Sequence, residues 1–196
     1  TAPAQPGALA QVLRMDNIGR RIDIFERAAG APVDARADWS SYLVEGCPVE
    51  VTTKNGMVEW ISIEFIGAGC RVDLQPLISV SRVLAADAPI TFGEFEAIQH
   101  LQAQYIYPCG GMNCGNAFEP TLDAVFPGAR VNNFVDVVGS SRFTREGDFD
   151  VLFAWKREVQ KQFGDDDAFE NFDMECDRRF DALSRQRVAD LRLDTI

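Results

Sequence analysis

Few residues in this sequence are suited to catalysis. His100 is the single histidine, so a Ser-His-Asp triad and a two-histidine metal site are excluded by count. It follows a run of core-type residues and reads as a helix-end residue. No nucleophile elbow, phosphate loop or dinucleotide fingerprint occurs. The glycines of CGGMNCGN follow a strand-like run and lack the helix-opening Lys-Ser pair that holds a phosphate. Thirty Asp and Glu residues leave paired carboxylates open, because a glycan hydrolase needs only two acids, at a separation set by folding. Asp165, Asp166, Asp167 and Glu170 carry oxygens that suit calcium, but the spacing and terminal bidentate Glu of a calcium loop are missing. Helix capping and solvation are expected of them instead. Neither a metal nor a cofactor is expected.

The five cysteines, Cys47, Cys70, Cys109, Cys114 and Cys176, form no C-x-x-C pair, so a structural zinc site is not expected. Cys47 and Cys70 flank PVEVTTKNGMVEWISIEFIGAG, which reads as a β-hairpin. A hairpin brings its open ends together, and a disulfide is expected there. Cys109 and Cys114 enclose Gly110, Gly111, Met112 and Asn113, a glycine-rich loop short enough to close through a second bridge. A cysteine nucleophile would need a neighbouring base and an electropositive setting, and these two have no nearby cation in sequence. Two such pairs point to an oxidising compartment, periplasm or exterior, with buried cytosolic thiols as the alternative. Cys176 lies among apolar residues at helical spacing and reads as a buried free thiol.

The elements that must position these residues follow from periodicity. Leu13, Ile18, Ile22, Phe25 and Ala29 recur at helical steps until Gly30 and Pro32, which predicts one helix over 13–29. WSSYLVEG reads as a strand. Val49 and Val51 alternate with polar residues up to Asn55-Gly56, a strong hairpin signal. The return strand MVEWISIEF places Met57, Ile61, Ile63 and Phe65 on one face, with Val58, Trp60, Ser62 and Glu64 on the other. A second pass opens with ITFGEFEAIQHL behind Thr91 as N-cap. QYIYPC then parallels SYLVEGC, and TLDAVFPGARVNNFVDVV parallels the first hairpin. Internal duplication and chance agreement of two ordinary segments are both open. The charged tail reads as two helices, the first carrying Val151, Leu152, Trp155 and Val159, the second Phe169 to Leu191.

The expected fold is therefore α+β: an antiparallel sheet built from two helix-plus-hairpin units with a C-terminal helical segment. Residues 1–10 are expected to be a flexible tether. Two tandem α+β units fill 11–144, at about 11–80 and 88–144, and a helical segment over 145–196 packs on them. TAPAQPGA is small, uncharged and Pro-rich, suiting the stretch after a removed signal segment or a spacer from a lipid anchor ahead of Thr1. An arbitrary boundary reads equally well. With 46% hydrophobic and 25% charged residues the composition is globular, and no apolar run is long enough to cross a bilayer. Nineteen Lys and Arg against thirty acids give a net charge of −11, which argues against nucleic acid as a partner.

What remains is surface suited to binding. Trp39, Tyr42, Trp60, Tyr105 and Tyr107 lie on or beside the predicted strands, where each serves either a core or an interface. Trp60 alternates with the apolar face and is expected to point outward. The sequence of helix, Gly30 and Pro32 break, Tyr42 strand, Gly46, Asn55-Gly56 turn and MVEWISIEF strand resembles the small α+β module of β-lactamase inhibitory protein and of outer-membrane-assembly lipoproteins. The resemblance implies two such modules in tandem, forming a sheet surface that binds an enzyme; no contact residue carries over by position. The expected function is a periplasmic or extracellular protein-binding inhibitor, with or without a lipid anchor ahead of Thr1, similar in kind to immunity proteins, rather than an enzyme. Its partner would be a basic secreted hydrolase or toxin. Gly110, Gly111, Met112 and Asn113 would insert into a cleft, with Trp60 and Tyr42 as further contacts. A carboxylate-dependent glycan hydrolase and a structural envelope lipoprotein are the alternatives.

Overall fold

Two pairs of left-handed residues shape the first sheet. Glu45-Gly46 (φ 52° and 82°) and Asn55-Gly56 (φ 55° and 74°) take positive φ at successive positions, the type I′ turn whose twist suits antiparallel strands. The first turn joins β2 (Trp39–Val44) to β3 (Cys47–Lys54), and the second joins β3 to β4 (Met57–Ile63). With β1 (Asp34–Ala35) the sheet runs β1-β2-β3-β4, antiparallel throughout. The computed structural model describes residues 7–64, 70–74, 83–85, 90–99, 104–106, 122–126, 136–142, 145–163 and 181–196. The chain divides into two compact units, Thr1–Pro89 with Thr195–Ile196, and Ile90–Asp194. Helices combined with antiparallel sheets make the fold α+β, as the periodicity predicts.

In the first unit the inner face of the sheet carries Tyr42, Val44, Cys47, Val49, Val51, Val58 and Ile63, all buried. α2 (Ile22–Ala29) lays Phe25 edge-on against Tyr42, with ring centroids 5.4 Å apart. Gly30, at φ 86°, ends this helix. The single helix expected over 13–29 is instead broken. α1 (Ala8–Val12) buries Leu9 and Val12, so the expected tether ends before it, and a 3₁₀ turn follows at Met15–Asn17. At the end of α1 the buried Asn17 amide donates to the carbonyls of Gln11 and Val12, each at 2.7 Å. Gly19 then takes φ 81° and its N–H donates to the Val58 carbonyl, while Val58 N–H donates to Arg20. At the far end of β4, Ile63 and Ile196 exchange backbone hydrogen bonds of 2.7 and 3.2 Å. Both ends of this edge strand are thus covered, which limits pairing with other chains.

The predicted disulfide between Cys47 and Cys70 is present, with Cα atoms 4.6 Å apart. It ties the start of β3 to the residue before β5 (Arg71–Asp73), which pairs with β6 (Val83–Ala85). The simple alternation expected of MVEWISIEF is interrupted. Thr52 faces Trp60 and Thr53 faces Val58, so Glu59 is the extra residue of a β-bulge. Val58 is therefore buried and Met57 exposed, opposite to the expected order, while Ile63 stays inside and Trp60 outside.

The second unit repeats the order. α3 (Phe92–Gln99) is followed by β7 (Gln104–Ile106), β8 (Leu122–Phe126) and β9 (Val137–Ser141), again antiparallel neighbours. Thr91 caps α3 as expected. Its hydroxyl accepts from Glu94 N–H at 3.3 Å, and the Glu94 carboxylate accepts from Thr91 N–H at 3.1 Å, a reciprocal capping box. Phe92, Phe95 and Leu193 are buried, and an added Cβ at Gly139 would lie 2.9 Å from Leu193 and 3.0 Å from Phe95. α4 (Asp148–Phe163) and α5 (Asp181–Val188) belong to this unit. They meet through Trp155, whose buried indole N–H donates to Ser184 Oγ at 3.1 Å. Asp194, 1% exposed, pairs with Arg145 and accepts from Arg142 N–H at 2.8 Å. Cys176 and the expected start of the last helix lie outside the described residues.

Candidate interaction face

The strands of the first unit present three cross-strand rows on their outer face. Trp39, Thr52 and Trp60 stand opposite one another in the first. Asp34, Ser41, Glu50 and Ser62 form the second, and Leu43 with Pro48 the third. None of these residues is buried. Trp60 is 44% exposed and Leu43 62%, on a sheet whose opposite face is closed core. The Arg36 guanidinium lies 5.3 Å over the Trp39 ring. Among the described residues no cation lies over Trp60, and the Asp34 and Glu50 carboxylates have no ion pair or hydrogen bond. The nearby Lys54 ammonium is engaged by Glu59 at 3.8 Å. The face therefore combines indole surface with unneutralised carboxylates on hydrogen-bonded strands.

The expected contact residues separate here. Trp60 stands on the outer face as alternation predicts. Tyr42 does not: it is 2% exposed and its hydroxyl donates to Glu26 Oε1 of α2 at 3.4 Å, so it is core and not a contact. Its parity in β2 decides this, because Tyr42 shares the inner face with Val44 while Trp39, Ser41 and Leu43 turn outward. Gly110, Gly111, Met112, Asn113, Cys109 and Cys114 lie outside the described residues. Glu50 and Leu43 were not singled out from sequence. The parity that puts Val49 and Val51 inside already places Glu50 opposite Ser41 on the outside.

A matching tyrosine lock occurs in the second unit, where the Tyr105 hydroxyl donates to Glu96 Oε2 at 3.3 Å. Arg185 Nε reaches both Glu96 oxygens at 2.8 Å, and Tyr105 N–H donates to Asp181 at 3.0 Å. Burial raises the Tyr105 phenol well above its usual range; the Glu96 charge adds to this and Arg185 opposes it. Tyr42 is raised chiefly by burial, against a hydrogen bond from Ser40 and together with the Glu26 charge. The native state thus holds both protons to higher pH than the unfolded chain, whose tyrosines titrate near 10. This contribution is complete below about pH 10 and is lost as pH rises toward the folded values, so stability should fall on the alkaline side. Phenolate absorbance near 295 nm should lag that of the denatured chain through about pH 10–11, and Tyr42→Phe or Tyr105→Phe should each shrink the lag. Coincident titrations would contradict the lock.

Among the described residues no group of three or more His, Cys, Asp or Glu is placed to hold a metal ion, and no helix is long and apolar enough to cross a membrane. Comparison with protein-family models, with curated proteins and with solved structures finds no match for this chain.

Proposed function

We propose that this protein acts by binding another protein through the outer face of its first sheet, as an inhibitor that neutralises a basic wall-degrading hydrolase or similar toxin. The observation that carries the reading is the row of Trp39, Thr52 and Trp60 beside Asp34 and Glu50, held outward by strands whose other side is core. Large aromatic side chains on a fixed backbone supply contact area at low ordering cost, as interface anchors do. The chain's net charge of −11 favours encounter with a cationic partner over an acidic one, and Asp34 and Glu50 add a local attraction on this face. The buried Cys47–Cys70 bridge supports an oxidising compartment, periplasmic or extracellular. In each unit a helix precedes consecutive antiparallel strands, four in the first sheet and three in the second, which supports the likeness to tandem inhibitory modules.

The test is inhibition and complex formation against a panel of basic wall hydrolases. With one of them a stoichiometric complex is expected, weakened about tenfold or more by Trp60→Ala, the behaviour of a central aromatic anchor. Raising salt from about 50 mM to about 500 mM should weaken it further, as screening removes the charge term. Degradation of purified wall by this protein alone would reject inhibition in favour of catalysis.

A further inference from the structure

The outer face is asymmetric in one respect. Trp39 and Trp60 flank Thr52 from the two neighbouring strands, and with strands about 4.8 Å apart their Cα atoms lie roughly 10 Å from each other. Trp39 already carries a guanidinium, that of Arg36, at 5.3 Å. Trp60 has the same setting on the other side of Thr52 with no cation over it among the described residues. Glu50 is the diagonal neighbour of Trp60, at the 7–8 Å or so over which long side chains on one sheet face meet. Glu50 is half-buried, and its carboxylate has no ion pair or hydrogen bond among the described residues.

We propose that Trp60 and Glu50 form a receptor for an arginine side chain of the protein partner. This rests on the reading that the face docks a protein and names the chemistry it recognises. The guanidinium stacks on the open indole of Trp60 and places its N–H fork on the Glu50 carboxylate, with the Ser62 and Thr52 hydroxyls beside it. Arginine fits better than lysine, since its flat, weakly hydrated group both stacks on an aromatic ring and meets a carboxylate in two parallel hydrogen bonds. Charge complementarity selects the occupant. Asp34 and Glu50 stand in the row next to the tryptophans, and Lys54, the one lysine of residues 1–89, pairs with Glu59 at 3.8 Å. Arg36 over Trp39 shows the same kind of contact within the chain itself.

The experiment follows the three tryptophan indole N–H signals by NMR in the full chain, assigned with single Trp→Phe variants. The probes are an acetylated, amidated Gly-Arg-Gly peptide, its citrulline counterpart and a neutral oligosaccharide of N-acetylglucosamine. The arginine peptide is expected to shift the Trp60 signal saturably, and the uncharged citrulline peptide about tenfold less well, consistent with a desolvated charged contact. Glu50→Gln should weaken the arginine response at least about fivefold while leaving the Trp39 signal of the free protein in place, which shows that the first sheet is intact. Equal response to citrulline, no response at Trp60, or an unchanged titration in Glu50→Gln would overturn the receptor. So would shifts produced by the oligosaccharide and not by the arginine peptide, which would make the face a sugar platform. A hydrolase complex that depends on Trp60 but is indifferent to Glu50→Gln would remove the arginine receptor while leaving protein binding intact. Failure of every hydrolase, together with a silent Trp60, would remove both.

Discussion

Trp155→Ala is expected to destabilise the second unit by about 3–5 kcal/mol, the range for removing a large buried aromatic and leaving a cavity. Trp155 is fully buried and is the largest side chain in that state among the described residues, so the lost contacts have no solvent to replace them. Its place also couples two elements, because the indole N–H bonds Ser184 on α5 while the ring fills the inner side of α4 beside Leu152 and Val159. Truncation leaves the buried Ser184 hydroxyl without this donor, adding about 1 kcal/mol or more to the cavity term. Trp155→Phe separates the two contributions, since it keeps most of the apolar area and loses the hydrogen bond; a loss of about 1–2 kcal/mol is expected. Urea unfolding followed by far-ultraviolet circular dichroism measures both. A loss below about 1 kcal/mol for Trp155→Ala would show that α4 is not anchored through this residue.

Several features were legible in the sequence because their causes are local. Asn55-Gly56 sets a turn through the φ preferences of two adjacent residues, and Thr91 with Glu94 sets a helix start through hydrogen bonds three residues apart. The Cys47–Cys70 bridge follows from hairpin closure alone. What escaped depends on partners distant in the chain. The break before α2 is stabilised by Gly19 and Arg20 bonding Val58, a residue of a strand not yet formed when the helix periodicity is read. The bulge at Glu59 reverses the parity of Met57 and Val58, and no residue type in EWISI announces it. Trp60 nevertheless faces out, because the bulge lies ahead of it and the register from Trp60 to Ile63 is regular.

Tyr42 illustrates a different limit. As an amphipathic residue on a strand it fits a core or an interface equally well, and its role is decided by the helix laid across it. The same decision is made twice in this chain. In α2 Phe25 and Glu26 meet Tyr42 of the following sheet, and in α3 Glu96 accepts from Tyr105 in the same way, while the ring beside Tyr105 is that of Phe92, with centroids 6.1 Å apart. Tyr42 pairs with Val49 and then Ile63 across its sheet, as Tyr105 pairs with Ala124 and then Gly139 across the other. A buried phenol donating to a helix carboxylate at the same topological position favours duplication over chance agreement, because neither strand order nor hydrophobic patterning requires it. The copies differ where packing differs. Gly139 stands where the first copy has Ile63, and the space is taken by Phe95 and Leu193.

The first unit has no comparably placed tryptophan in its core, and its covalent bridge has the larger effect on stability. Replacing Cys47 and Cys70 together by alanine is expected to cost about 3 kcal/mol, from the unfolded-chain freedom that a bridge across 23 residues removes. Both cysteines are buried, at the point where β3 begins and the chain leaves for β5, so the bridge closes the open end of the β3–β4 hairpin. Burial also makes reduction wait for an opening of this region, so dithiothreitol should act slowly on the native protein and quickly near the unfolding midpoint. Once reduced, the wild-type chain should unfold close to the double-alanine variant, and reductant should leave that variant unchanged. The outer face is sensitive to the same bond, because Leu43, Pro48 and Glu50 sit on the strands that Cys47 anchors. Partner binding should therefore weaken in the double variant before the sheet itself is lost. Unfolding midpoints that differ by less than about 1 kcal/mol between oxidised, reduced and double-alanine forms would show that the hairpin closes without its bridge.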